Sequence, residues 1–390
     1  MDAQVRHRIA GHRGAVNAAI FDATGAFVVS GGADGRIQLS SADSGRAVQW
    51  LDGQGHAVHG VALSTDARQL ASCGGRTVFV WDVSAAQITR RLGGHRERVD
   101  CVAMGGDSGG SVVASGSFDR TVRLWDMRAA QRTPVQELDD SRDGVAALAF
   151  AGDHIVAASA DGSVRTYDVR AGRMTEDVLG APVVSVAVAG SVLAAGCMDG
   201  SVQLLDRGSG RALAAFTGHV CERYRVQCDA SAAVVASGSE DGAVCLWSAE
   251  VPPGTVSRNP HRLRAHHGAV TTVRLHPRAT DDPAYKSAMV SAGADGAVVV
   301  WGLCHSAFWG KKLQNKYLVE QTMRTTPSHH RLVYETGLPK PYRIVYVDPD
   351  GEDGDDMAWA NRGHEEKARR RIRLKITVDE ENQVHEVECG

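Results

Sequence analysis

The run SGSFDRTVRLWD, residues 115–126, sets two serines before an Asp119-Arg120 turn and follows the turn with Val122 and Leu124 ahead of Trp125-Asp126. The residues just upstream, VVAS (112–115), are short, apolar and rich in Val, so the two runs flanking a two-residue turn read as a β-hairpin. The same pattern returns along the chain as SGGADGRIQLSS (30–41), SCGGRTVFVWD (72–82), SADGSVRTYD (159–168), GCMDGSVQLLD (196–206), SGSEDGAVCLWS (237–248) and SAGADGAVVVWG (291–302). With the turns placed at Asp34, Gly75, Asp119, Asp161, Asp199, Asp241 and Asp295, successive differences are 41, 44, 42, 38, 42 and 54 residues. A unit of roughly 42 residues holds four short strands. Such a unit cannot bury both of its faces alone, so neighbours must stack into a closed ring. The seven copies predict an all-β, seven-bladed propeller.

Composition agrees with that reading. The 390 residues are 43% hydrophobic and 23% charged, and no stretch approaches the ~20 unbroken apolar residues of a membrane-spanning helix. Forty-three glycines against eleven prolines exceed what a helical bundle uses, and without a G-X-Y period they imply tight turns rather than collagen. A formal charge of -3 provides no general field for nucleic acid, so any contact with RNA or DNA is expected to be local or indirect. The eight cysteines are scattered with no C-x-x-C pair, and residues 1–10, MDAQVRHRIA, lack the apolar segment of a signal peptide; reduced thiols in cytosol or nucleus are expected.

Gly-His near the start of a copy, Asp in its turn and Trp-Asp at its end resemble the WD40 repeat, over residues 5–301. That resemblance implies that residues 5–9, which precede Gly11-His12, complete the last blade and lock the ring. A closer resemblance lies in LDDSRDGVAALAF (138–150), DGSVRTYDVRAGRM (161–174) and LGAPV (179–183), then in GHVCERYRVQCD (218–229) and SEDGAVCLW (239–247). These are similar to the WD repeat-containing protein 83 family, the mitogen-activated protein kinase organisers. The resemblance implies two roles: a scaffold for kinases of the extracellular-signal-regulated pathway, and a component of the spliceosome. It also implies a cytoplasmic and nuclear location, with splicing factors or cascade components as partners and the propeller monomeric within a larger complex.

Four copies carry His, Ser and Asp at matching offsets: His12, Ser30, Asp34; His95, Ser115, Asp119; His219, Ser237, Asp241; and His266, Ser291, Asp295. Each set resembles a hydrolase triad, yet no G-x-S-x-G elbow surrounds any of the serines and catalysis has no need of four sets. The structural reading is a network in which Asp bonds His and His bonds Ser, closed by Trp125, Trp247 or Trp301. The second copy has Gln54 for His, and the fourth and fifth have no aligned His. The Ser position there reads Ala71, Ala157 and Ala195, with Tyr167 and Leu205 in place of Trp in the last two. Blades two, four and five are therefore expected to be held mainly by apolar packing. No enzyme activity, cofactor or metal is expected.

Function is then expected on the loops at the ends of the ring. The resemblance implies that residues before the turn Asp and after Gly-His line the partner face: Phe118, Met198 and Glu240, with Arg13, Arg96, Arg98, Arg223, Tyr224 and Arg225. Aromatic and Arg side chains there are the usual interface anchors. The alternative is a substrate receptor of a cullin-type ubiquitin ligase, since WDMR (125–128) and YDVR (167–170) resemble the box that docks on its adaptor through Arg128 and Arg170.

Residues 302–390 depart from the repeat. Leu313, Tyr317, Leu318 and Met323 have helical spacing, while 343–347 and 373–378 read as strands, giving an appended α+β or partly disordered extension of unknown role. Its acidic run DPDGEDGDD (348–356) lacks the frame of an EF-hand, its basic run RRRIRLK (369–375) is compensated by Glu365 and Glu366, and its histidines fit no metal spacing.

Overall fold

The structure, a computed structural model, describes residues 3–105, 110–277 and 289–303, together with three further strands, Tyr342–Tyr346, Leu374–Val378 and Val384–Cys389. Seven antiparallel sheets succeed one another along the chain, each built from the axis outward. Blade three is representative, with Val99–Gly105 innermost, then Val112–Ser117, Val122–Asp126 and Gln136–Leu138 at the rim. The second strand is Val- and Ala-rich because both its faces are covered. Outermost strands alternate instead, as in Gln87–Leu92, where exposed and half-buried residues take turns.

The innermost strands touch in sequence order, and that of blade seven, Val270–Leu275, touches that of blade one, Val16–Phe21, so the ring is closed. Apolar clusters fill the spaces between successive blades. Blades two and three, for instance, share Ala71, Val80, Val102, Val113 and Trp125. Blades seven and one share Ile9, Val16, Val28, Val290 and Val300. Blade seven takes its fourth strand from the N-terminal segment: Ala3–Ile9 pairs antiparallel with Val298–Leu303, from Ala3 opposite Leu303 to Ile9 opposite Val298.

Five innermost strands shift register by one residue near the same end, between Val16 and Ala18, Val99 and Cys101, Val145 and Ala147, Val183 and Ser185, and Val270 and Thr272. Such bulges re-aim the extra residue, here Asn17, Asp100, Ala146, Val184 and Thr271. At this end the hairpin turns place glycine in the left-handed region, at Gly35, Gly162, Gly200, Gly242 and Gly296. Blade three instead puts Arg120 there, at φ 70°, a conformation that costs a residue with a Cβ about 1 kcal/mol.

Two blades gain a fifth strand. Thr255–Ser257 adds in parallel to the rim of blade five, and Tyr342–Tyr346 adds antiparallel to the rim of blade four, with Val178 opposite Tyr342 and Met174 opposite Tyr346. Leu374–Val378 pairs with Val384–Cys389. All described elements are strands. The helix expected over 311–324, the acidic run and the start of the basic run lie outside the described residues.

Removing residues 1–9 deletes this closing strand and uncovers the Val298–Leu303 edge. The loss of Ile9 burial and of the ladder bonds should lower the melting temperature by about 10 °C, read by scanning calorimetry; an unchanged melt would mean that another contact closes the ring.

Candidate functional site

The repeated polar groups differ from blade to blade. In blade seven the network is complete: His266 Nδ1 lies 3.0 Å from Asp295, its Nε2 lies 2.8 Å from the Ser291 hydroxyl, and Trp301 Nε1–H donates to that hydroxyl at 2.8 Å. Blade three has His95 2.9 Å from Asp119 and 2.7 Å from Ser115, but the Trp125 indole N–H has no partner and the ring packs edge-on against His95. Blade one has His12 3.1 Å from Asp34 and 3.0 Å from Ser30, and here Trp50 of the rim strand packs edge-on against the His.

Blade six departs from the expected network. His219 Nδ1 and Trp247 Nε1 are buried without partners, and the Ser237 hydroxyl donates to the Gly238 carbonyl. Arg262 on the rim strand bonds both the Asp241 carboxylate and the Gly218 carbonyl, as Arg8 does with Asp295 and the Ala265 carbonyl in blade seven, where His266 keeps its bond to the carboxylate.

Blades two and four are not held by apolar packing alone. In blade two Ser72, rather than Ala71, occupies the serine place: its hydroxyl donates to Gln54 Oε1 at 2.6 Å and accepts from Trp81 Nε1–H at 2.8 Å. Ser72 pairs with Phe79, two residues before Trp81, just as Ser115 pairs with Arg123, two before Trp125; the blade-two hairpin is one residue shorter. In blade four the fully buried Arg165 reaches Asp161 at 2.8 Å and Glu176 at 2.5 Å, with Ser141 at 3.4 Å. Blade five alone keeps the apolar substitution, with Leu179, Ala195 and Leu205 buried in one cluster.

Burial lowers the pKa of His95 and His266, against the opposing pull of Asp119 and Asp295, and it pushes His219 down to about 4. Burial alone would raise Asp119, but the Thr121 hydroxyl, the Arg96 amide and His95 outweigh it and hold the carboxyl at about 2.

The residues expected to meet partners sort into two groups. Phe118 and Tyr224 stand out, 55% and 49% exposed, and Arg13, Arg96, Arg98 and Arg223 are exposed beside the turns. Three others shape the loops. Met198 is half-buried against Val184, Cys221 and Val226. The Glu240 carboxylate accepts the backbone N–H groups of Glu222, Arg223 and Tyr224 at 2.6, 2.5 and 2.8 Å, so it clamps the loop that carries Tyr224. Arg225 is half-buried and crosses the channel mouth from blade six to Asp100 of blade three, at 3.0 Å, and to the Ala146 carbonyl of blade four. Asp100 also accepts from Arg98 at 2.6 and 3.2 Å. At the opposite end Arg128 pairs with Asp126 and Arg170 with Asp153, each guanidinium largely exposed.

The geometry defines a WD40-type propeller, and comparison with known proteins agrees. The family described as "WD domain, G-beta repeat" matches residues 3–39, 46–82, 86–126 and 210–248. An uncharacterised WD repeat-containing protein of Schizosaccharomyces pombe is 37% identical over 239 residues, 60% of this chain and 80% of that protein. The chain belongs to the WD40-repeat family. Within it the chain is similar to WD repeat domain-containing protein 83: the Dictyostelium discoideum homolog is 26% identical over 326 residues, 75% of this chain and 96% of that one. The rat protein is 32% identical over 178 residues, 45% of this chain and about half (52%) of its own length.

Two consequences are measurable. Ser72→Ala strands a buried amide oxygen and an indole N–H and should cost about 2 kcal/mol in urea unfolding. Ser40→Ala, whose hydroxyl has no partner, should cost far less; equal costs would show that Ser72 holds nothing. The second concerns pH. His95, His219 and His266 have folded values below the ordinary 6.5, so the unfolded chain takes up protons first as pH falls. Their contribution is full above about 6.5 and is lost as pH drops through the folded values, to about 4 for His219. Melting temperature should therefore decline across that window, and less steeply in His219→Gln; identical profiles would remove His219 from the account.

Proposed function

We propose that this chain is a non-catalytic scaffold that gathers partner proteins on the turn-bearing end of its propeller, in a spliceosomal assembly or a mitogen-activated kinase cascade, in nucleus and cytoplasm. The observation that carries the reading is the contrast in exposure at that end. The groups that look catalytic are sealed: Ser115 and Ser291 are 0% exposed and Ser30 is 2% exposed, leaving a substrate carbonyl no approach to any hydroxyl. The side chains open to solvent are Phe118 and Tyr224, the latter on a loop clamped by Glu240. Rigid aromatic anchors of this kind lose little entropy on docking. The likeness to WD repeat domain-containing protein 83 supports the scaffold reading; the clients are those that the resemblance implies.

The ligase reading has one observation in its favour, the exposure of Arg128 and Arg170 at the end remote from Phe118. Affinity purification of the full chain from native extract, with mass spectrometry, separates the two. Splicing factors or cascade kinases should be recovered, and should be lost from the Phe118→Ala/Tyr224→Ala variant. A cullin adaptor lost on Arg128→Ala/Arg170→Ala would instead favour the receptor, and an absence of any partner would defeat the scaffold.

A further inference from the structure

Around Phe118 the charges are sorted by sign. Three carboxylates of this region face inward and are already engaged: Asp119 with His95, the Arg96 N–H and Thr121; Asp161 with Arg165 and the Arg142 N–H; Asp100 with Arg98 and Arg225. The cations face outward. Arg76, Arg96, Arg120 and Arg142 are exposed, and among the described residues none of their side chains forms an ion pair.

The fold brings these arginines to one place. Hairpin turns meet the entry loops of their own and of the next blade: Phe118 N–H donates to the Arg98 carbonyl and Ala160 N–H to the Gly144 carbonyl within blades three and four, while Val99 N–H of blade three donates to the Gly75 carbonyl of blade two. The turns carrying Arg76 and Arg120 and the loops carrying Arg96, Arg98 and Arg142 are thus interleaved over blades two to four. Phe118 lies among them, with the Arg98 guanidinium 5.9 Å from its ring centroid and one ring edge against Gly144, where an added Cβ would come within 2.9 Å. Arg98 is held in place by Asp100. Arg120 occupies the left-handed position that other blades give to glycine.

We infer that this patch is a docking site for an acidic linear segment of a partner protein, one that sets a bulky apolar side chain on Phe118 and its carboxylates on Arg96, Arg120 and Arg142. The inference rests on the scaffold reading and names the chemistry of the partner. Charge complementarity selects the occupant: the exposed acids nearby are Glu97 and Asp143, outnumbered by the arginines. A nucleic acid fits less well, because the arginines surround a centre instead of tracking a backbone and Phe118 already has Arg98 over its ring.

The test uses the full chain and a fluorescein-labelled peptide with one phenylalanine between runs of glutamate, followed by anisotropy. Binding should weaken as salt rises and fall about tenfold in Arg96→Glu/Arg142→Glu, with Phe118→Ala also weaker and Arg211→Glu, at the far end, unchanged. A lysine peptide of the same pattern should not bind. Circular dichroism and melting of each variant would show that the fold is retained, as expected for side chains without ion pairs. Unaltered peptide binding by the charge-reversed variant would overturn the inference, and so would an oligouridylate that displaces the peptide through the same arginines. If partners recovered from extract persist on that variant, the acidic-segment inference fails while the scaffold stands.

Discussion

Everything in this molecule depends on a strand pair formed by residues nearly three hundred positions apart. Ala3–Ile9 lying against Val298–Leu303 ties the start of blade one to blade seven and so holds the packed faces of these two blades together. Bringing such distant segments together costs on the order of 5 kcal/mol in chain entropy. The ring offsets that once and collectively, since closure completes the last of the apolar clusters between blades and leaves no blade with an unpaired face.

Within the closed ring, the polar connections are interchangeable in chemistry. His95 with Asp119 and Ser115, Gln54 with Ser72 and Trp81, and Arg165 with Asp161 and Glu176 solve the same problem, tying a hairpin turn to a neighbouring element with buried hydrogen bonds. Leu179 and Leu205 avoid the problem by burying no polar group at that place. Burying a donor without an acceptor costs free energy, and the Trp125 indole in blade three and His219 and Trp247 in blade six are among the places that bear that cost.

The architecture was legible in the sequence because it rests on period and turn chemistry, which seven copies display redundantly. The side-chain links were less so. Aligning copies on the turn residue put Ala71 in the serine place, since the period does not reveal that one hairpin is a residue shorter; Ser72 becomes visible only through its pairing with Phe79. His219 had the right neighbours in sequence, yet its Nδ1 is buried without a partner, a departure that no local motif records. Arg165 did leave a signal: a cation in the middle of SVRTYD, a strand buried along nearly its whole length, requires buried anions, and Asp161 and Glu176 supply them. On the exposed face, residue type alone marked Phe118 and Tyr224 but could not distinguish them from Glu240 and Met198, which hold the loops instead.

Arg225 has a mechanical consequence. A ring of sheets joined only to their neighbours can flatten into an ellipse at little cost, because each interface need tilt only slightly. One guanidinium of blade six anchored across the axis to blades three and four, through Asp100 and the Ala146 carbonyl, acts as a spoke across the hub and resists that distortion. It also lays a fixed positive charge across the axis at this end, neutralised by Asp100.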